Sequence, residues 1–231
     1  MSTEANSAAT AQAVTIAIDA TQSVSGLLQA PAAAHACYVL AHGAGAGMTH
    51  AFMAAVAIGL AERGIASLRY QFPSMERGSK RPDPPATAHA AVRAAVGAAS
   101  RLLPGMALVA GGKSFGGRMT SQAQALDPLP DVRGLAFLGF PLHPPKQPGD
   151  ARAEHLAEVR IPLLFLQGTA DALADPAWLR PCVERLRARA TLIEFAHADH
   201  SFHVPARSGT NDETVLAALL DALAGWIESV K

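Results

Sequence analysis

The stretch Gly111-Gly112-Lys113-Ser114-Phe115-Gly116-Gly117-Arg118 lies between two segments of different pattern. Before it, Ala107–Gly111 is a short apolar run typical of a buried strand, whereas Phe115–Leu126 has the pattern of a helix. Residues 112–116 match G-x-S-x-G, a motif that places a serine on a tight strand-to-helix turn. The glycines leave room for that turn, and the first N–H groups of the helix point toward negative charge. Ser114 is therefore a candidate nucleophile.

Predicted strands and helices alternate on both sides of this motif. The other predicted strands are Val14–Ala20, Ser23–Gln29, Cys37–Ala41, Ile65–Tyr70, Gly134–Gly139, Pro162–Gln167 and Thr191–Phe195. The other predicted helices are His50–Arg63, Thr87–Leu103, a short one near Ala151–Val159, Pro176–Arg189 and Asp212–Ile227, and residues 71–85 are predicted to form a loop. This alternation predicts the α/β class, a three-layer α/β/α sandwich around a mainly parallel sheet with antiparallel N-terminal strands.

An acid and a histidine follow the last two predicted strands. Asp171 comes after Pro162–Gln167, and His200 comes after Thr191–Phe195. In a parallel sheet these loops lie at the same edge as Ser114, so the three side chains can form a triad in which His200 is the base and Asp171 orients it. Asp175 competes with Asp171, and His197 is the alternative to His200.

The glycine-rich segment after Cys37–Ala41 predicts the site's oxyanion donors. His42-Gly43-Ala44-Gly45 resembles a motif that supplies one backbone donor from an early strand–helix loop. We assign that N–H to Ala44 and the second to Phe115, the residue after the nucleophile.

Two nucleotide-binding motifs fail at single positions. A phosphate-binding loop ending at Gly112-Lys113-Ser114 requires a glycine where Ala107 stands. A dinucleotide fingerprint starting at Gly43 requires a glycine where Met48 stands. The histidines near residue 200 have no supporting cysteine or carboxylate cluster, so we expect no metal and no cofactor.

Composition is consistent with one enzyme domain. The chain has 231 residues, half of them hydrophobic, with 19 basic and 19 acidic side chains. That balance argues against a nucleic-acid or membrane partner, and the longest apolar stretch, Ala51–Ala61, is too short to span a bilayer. Residues 1–12 are predicted to be a disordered tail rather than a signal peptide, and 13–231 a single domain. We expect a cytoplasmic protein, and the sequence does not determine its oligomeric state.

With these motifs assembled, the chain resembles the small, lidless α/β-hydrolases related to dienelactone hydrolase. More narrowly, it resembles bacterial relatives of a domain shared by a testis-expressed vertebrate protein and a regulatory subunit of the NSL chromatin complex. The resemblance is carried by four stretches along most of the chain: residues 42–47, 69–73, 111–118 and 199–202. Dienelactone hydrolases proper have a cysteine nucleophile, so their lactone substrates are not expected here.

The resemblance implies an α/β-hydrolase fold with Ser114, Asp171 and His200 at the triad positions. The expected activity is that of a carboxylesterase or thioesterase on a small soluble ester or thioester, because residues 140–160 leave no room for a helical cap. The basic loop 75–81 is interpreted as a solvated loop, with selection of anionic acyl groups as the alternative. The vertebrate members keep a second possibility open, a non-catalytic scaffold that serves as an interaction module.

Overall fold

A computed structural model describes residues 10–231 of the protein. Most of the predicted tail, residues 1–12, lies outside the described residues, and Gln12 already begins the first strand. Eight strands form one sheet in the order β1-β2-β4-β3-β5-β6-β7-β8. The strands are β1 Gln12–Ala17, β2 Ser23–Gln29, β3 Ala36–Ala41, β4 Ile65–Tyr70, β5 Ala107–Lys113, β6 Val132–Leu138, β7 Leu163–Gly168 and β8 Ala190–Phe195.

The sheet is mainly parallel, as predicted from the alternation of elements. β2 pairs antiparallel with both β1 and β4, whereas every other neighbouring pair is parallel. The predicted antiparallel start of the sheet is therefore confirmed. β3 lies directly beside β5, with Ala41 opposite Gly112, so the glycine-rich loop after β3 meets the serine turn after β5.

Helices cover both faces of the sheet. Their bounds are α1 Ala51–Glu62, α2 Pro73–Glu76, α3 Pro85–Leu102, α4 Phe115–Leu126, α5 Pro176–Leu186 and α6 Asp212–Val230. One apolar cluster joins the sheet to α1 and α6, and a second joins it to α3, α4 and α5. The predicted three-layer sandwich is confirmed.

The central strands lack the alternation of a half-exposed sheet. Every residue of β3, β4 and β7 is buried, because helices pack on both faces. β3 and β7 appear in the sequence as short, nearly continuous apolar runs, which is why their positions could be predicted closely, whereas β4 also buries the polar residues Ser67 and Arg69.

Several predicted segments differ locally from the structure; the first strand, for example, covers Gln12–Ala17 rather than Val14–Ala20. The predicted loop 71–85 contains the single-turn helix α2, which starts at a proline whose fixed φ suits the first position of a helix. The short helix predicted near Ala151–Val159 is a 3-10 helix over Ala151–Glu158. The helix predicted over Pro176–Arg189 ends at Leu186, because Arg187 adopts a φ of 55° and interrupts the helical backbone.

The carboxyl edge of the sheet has no helical cap in the described part of the chain. Between β6 and β7 the structure has only loops and the 3-10 helix Ala151–Glu158. Among residues 10–231, no helix is both long enough and apolar enough to cross a bilayer.

Candidate active site

Ser114 occupies a strained backbone position between β5 and α4. Its φ is 50° and its ψ is −114°, which a non-glycine residue adopts at a cost of about 1–3 kcal/mol. Two backbone bonds hold it there: the Ser114 N–H donates to Leu138 O over 3.2 Å, and Ser114 O accepts from the Arg118 N–H over 3.1 Å. The turn therefore presents the hydroxyl at the carboxyl edge of the sheet.

The two glycines that flank the serine are required by close backbone packing. A Cβ at Gly112, where φ is 144°, would lie 2.1 Å from Ala41 O. A Cβ at Gly116 would lie 2.6 Å from the same oxygen. These approaches bring β5 and the start of α4 against the end of β3.

Ser114, His200 and Asp171 form a continuous hydrogen-bonded chain. The distance from His200 Nδ1 to Asp171 Oδ2 is 2.7 Å, and that from His200 Nε2 to Ser114 Oγ is 2.8 Å. When Nδ1–H donates to the carboxylate, Nε2 is left to accept a hydrogen bond from the serine hydroxyl. The structure thus brings together the three side chains that the sequence singles out.

Asp171 is oriented by further donors. Its side chain is buried, with 3 % of the residue exposed. Gln167 Nε2 donates to Oδ2, the oxygen that also faces His200, and the Leu173 N–H donates to Oδ1 over 2.8 Å. Both carboxylate oxygens therefore have fixed partners.

The alternative acid and histidine lie in other contacts. Asp175 is the N-cap of α5 and accepts from the Ala177 N–H over 2.8 Å. His197 is exposed, and its backbone N–H donates to Thr169 Oγ1 over 2.9 Å. The structure does not bring either of them to Ser114.

The two assigned backbone donors lie beside the serine. Ala44 and Phe115 line one cavity together with Ser114. Within the described residues, no acceptor takes a hydrogen bond from either N–H, so both are free to bind a ligand oxygen.

His42 holds the loop that carries Ala44. Its Nδ1 lies 2.8 Å from Gly43 O, and its Nε2 accepts from the Phe72 N–H over 3.0 Å. Burial lowers the pKa of His42, which favours the neutral ring that this donor–acceptor pattern requires.

Lys113 makes contacts at the site that the sequence analysis did not predict. Its Nζ donates to His200 O, and the ammonium lies 5.5 Å from the centre of the Phe202 ring. Burial lowers the pKa of Lys113 to about 8, an effect that the carboxylates of Asp171 and Asp199 partly oppose. The lysine links the end of β5 to the loop that carries His200. The only feature of the sequence that could have drawn attention to Lys113 is its position next to Ser114 in the motif.

Two cavities meet at the serine. The first, of about 410 Å³, is lined by Ser114 and His200 together with α1 residues such as Phe52. The second, of about 320 Å³, is lined by Ser114, Arg118 and Arg152. Ala44 and Leu173 border both, so Ser114 is reached from two sides.

The basic loop 75–81 borders a third cavity, separate from the two cavities that contain Ser114. Arg77 pairs with the buried carboxylate of Asp83 at 3.2 Å, and Arg77 and Arg81 line a cavity that does not include Ser114. These two arginines therefore do not line either of the cavities that contain Ser114.

A second serine–histidine contact lies on α4. Ser121 Oγ is 2.7 Å from His155 Nε2 and 3.0 Å from Arg118 O. Among the described residues no carboxylate bonds to His155, and Ser121 lies inside the helix rather than on a turn. This contact lacks the orienting acid and the strained backbone found at Ser114.

A protein-family model described as an alpha/beta hydrolase domain matches residues 34–228. The chain belongs to this family. The match contains Ser114, Asp171 and His200 and all strands from β3 to β8.

Solved structures of other hydrolases show the same fold. A dienelactone hydrolase from Anabaena variabilis superposes with a TM-score of 0.76 at 20 % identity, covering 95 % of this chain and 97 % of that one. An α/β serine hydrolase without a lid from Xanthomonas campestris gives 0.74 at 20 % identity, with 94 % and 95 % covered. The esterase domain of a Rhodothermus marinus protein gives 0.70 at 17 % identity, with 94 % and 97 % covered. At these identities the likeness establishes the fold alone.

Proposed function

We propose that this α/β-hydrolase family member is a serine hydrolase that cleaves a small soluble ester or thioester. Ser114 is the nucleophile, His200 the general base and acid, and Asp171 the residue that orients the histidine. The observation that carries the proposal is the unbroken hydrogen-bond chain from Ser114 through His200 to Asp171 at 2.8 and 2.7 Å. The strained backbone of Ser114 supports it, since strain of this kind clusters at active sites.

The proposed reaction proceeds through an acyl-enzyme. His200 Nε2 takes the hydroxyl proton while Ser114 Oγ attacks the carbonyl carbon. The N–H groups of Ala44 and Phe115 receive the resulting oxyanion, a contribution worth about 10²–10³ in rate per donor. His200 then gives its proton to the departing alcohol or thiol. Water, activated by the same histidine, hydrolyses the acyl-serine and returns the enzyme to its starting state.

The uncapped edge of the sheet supports a small soluble substrate. Cavities of about 410 and 320 Å³ meet at Ser114, which fits short groups on both sides of the scissile bond. One structural neighbour is an esterase domain, which is compatible with ester hydrolysis by this chain.

A fluorophosphonate probe tests the activated nucleophile directly. We expect the intact protein to form a covalent adduct at Ser114, located by mass spectrometry of peptides. Ser114→Ala and His200→Ala should abolish labelling, because one removes the attacking oxygen and the other its base. A parallel screen of short-chain esters and thioesters then distinguishes carboxylesterase from thioesterase activity.

Ser121→Ala is the matched control for this experiment. It removes the other serine that contacts a histidine but leaves the Ser114 chain intact. Labelling should persist in this variant. A folded protein that fails to react with the probe would overturn the proposal and favour the non-catalytic scaffold.

A further inference from the structure

Two arginines line the cavity that lies beside Ser114 and away from His200. Arg118 stands one helical turn after Ser114, a rise of about 5.4 Å along α4. Arg152 comes from the 3-10 helix between β6 and β7. Both border the cavity of about 320 Å³ that also contains Phe115. Positive charge is therefore concentrated where one side of a substrate must lie.

Arg118 has an unused donor inside the protein. Its Nε is buried, and no atom of residues 10–231 accepts a hydrogen bond from it. The guanidinium lies 5.9 Å from the centre of the Phe115 ring. Burial, together with the nearby charge of Arg152, lowers the pKa of Arg118. The residue also borders the cavity, and within residues 10–231 its two terminal nitrogens donate to no acceptor, so they are the donors that an anion entering the cavity can meet.

Carboxylates in the described part of the chain do not neutralise this pair. Arg152 Nη1 donates to a backbone acceptor, His143 O, over 3.1 Å, and neither arginine forms an ion pair there. Asp83 also borders the cavity, but its oxygens accept from the Ser74 N–H at 2.7 Å and from Arg77 at 3.2 Å. Asp83 is thus already balanced, whereas the two arginines retain donors for a ligand.

The side of the substrate that enters this cavity follows from the position of the histidine. His200 borders the cavity of about 410 Å³ and does not border the second one. In the proposed reaction His200 protonates the leaving group, so the leaving group lies in the first cavity. The acyl chain then extends into the second, toward Arg118 and Arg152.

We propose that Arg118 and Arg152 bind a carboxylate at the far end of the acyl chain. The preferred substrates are then monoesters or monothioesters of short dicarboxylic acids. Water and the monoester give the free dicarboxylate, an alcohol and a proton (a thiol in place of the alcohol for a monothioester), with the distal carboxylate unchanged. Arginine suits this role, because its planar donors match both oxygens of a carboxylate. The inference rests on the proposed hydrolase function, whose substrate class it names.

Two esters of equal length provide the test. Monomethyl glutarate and methyl pentanoate differ only in a terminal carboxylate in place of a methyl group. We expect kcat/KM to be higher for monomethyl glutarate in the wild-type protein. In Arg118→Gln, and separately in Arg152→Gln, the ratio of the two kcat/KM values should fall roughly tenfold or more, the scale of a lost charged hydrogen bond. Most of the change should appear in KM.

Arg133→Gln is the matched control. Arg133 is exposed near the amino end of β6, at the edge of the sheet opposite Ser114. The substitution therefore removes the same charge at a position far from the cavity. Its ratio should equal that of the wild type. An equal fall in Arg133→Gln, or no preference in the wild type, would overturn the carboxylate site.

The probe experiment separates this failure from failure of the hydrolase proposal. Labelling of Ser114 without preference for the charged ester, or without turnover of either ester, would reject the carboxylate site and leave a serine hydrolase with another substrate. Absence of both labelling and turnover would reject the two proposals together.

Discussion

At the scale of single residues, the site depends on choices among near neighbours in the sequence. Asp171 and Asp175 are four positions apart in the same loop, but only Asp171 lies 2.7 Å from His200 Nδ1. Asp175 instead caps α5. From the sequence, the candidate acid of the triad could be assigned to this loop, and Asp171 was favoured because it is nearer the end of the strand than Asp175. It could not predict the contact itself, which depends on how the loop folds back onto Leu173 and Gln167.

The two aspartates give a prediction about catalysis. Asp171→Asn should lower kcat by about 10⁴, because the amide favours the wrong histidine tautomer and no longer stabilises the imidazolium. The measurement is steady-state hydrolysis of an active ester found in the substrate screen.

Asp175→Asn is the control for that prediction. Asparagine is as good an N-cap as aspartate, so α5 should keep its start and kcat should stay near the wild-type value. A larger loss of kcat in Asp175→Asn than in Asp171→Asn would mean that the acid has been misassigned.

At the scale of elements, the serine turn depends on how closely α4 approaches β3. The sequence patterns predict β2, β4 and α4 with their observed bounds, because both strands are short runs rich in apolar residues and the serine motif marks the start of the helix. The pattern does not reveal the close approach of Gly116 to Ala41, since that contact joins residues far apart in the chain.

Two glycine-to-alanine changes in helices should therefore have opposite effects on stability. In Gly116→Ala the new Cβ would lie 2.6 Å from Ala41 O and His42 O, so α4 must shift and the protein should lose about 1–3 kcal/mol. In Gly225→Ala the added methyl meets nothing within 4 Å, and better helix propensity should add up to about 1 kcal/mol in α6.

Denaturant unfolding of both variants measures these changes. Gly225→Ala serves as the control for the substitution itself, because it makes the same chemical change on an exposed helix face. Equal stability of Gly116→Ala and the wild type would show that the α4–β3 contact is not tight.

At the scale of the whole molecule, the fold brings into contact residues that are far apart in the sequence. Ligands bind beyond the carboxyl ends of the strands in a parallel sheet, so the site could be placed at that edge before its geometry was known. The arginine cavity could not be predicted in this way, because Arg118 and Arg152 belong to different elements and meet only in the folded chain. The basic loop was the visible candidate for binding anions, but Arg77 is paired with Asp83.

The same packing makes the stability of the molecule depend on pH. His155 belongs to the 3-10 helix Ala151–Glu158, and its ring contacts Ser121 of α4 near the charges of Arg118 and His89. Burial, followed by repulsion from these two groups, lowers the pKa of His155 to about 4. Burial also lowers the pKa values of His42 and His89.

Because its folded pKa is depressed, His155 destabilises the fold as the pH falls from its ordinary value of 6.5 toward about 4. In that window the unfolded chain binds a proton that the folded chain excludes, at a slope of at most about 1.4 kcal/mol per pH unit for one group. His155→Gln keeps a donor for Ser121 but removes the titration. Its loss of unfolding free energy between about pH 7 and about pH 5 should therefore be smaller than that of the wild type.

His203 provides the contrasting control, because its exposed ring pairs with Asp212 at 2.8 Å and that hydrogen bond raises its pKa. A raised pKa contributes stability that is present at low pH and is lost as the pH rises, so His203→Gln should make the loss at low pH slightly larger. Urea unfolding of the wild type, His155→Gln and His203→Gln at the two pH values measures the loss of unfolding free energy in each protein and so tests both expected directions. If His155→Gln kept the full loss of the wild type, the acid sensitivity would have to come from His42, His89 or the carboxylates, and the buried contact with Ser121 would have no part in it.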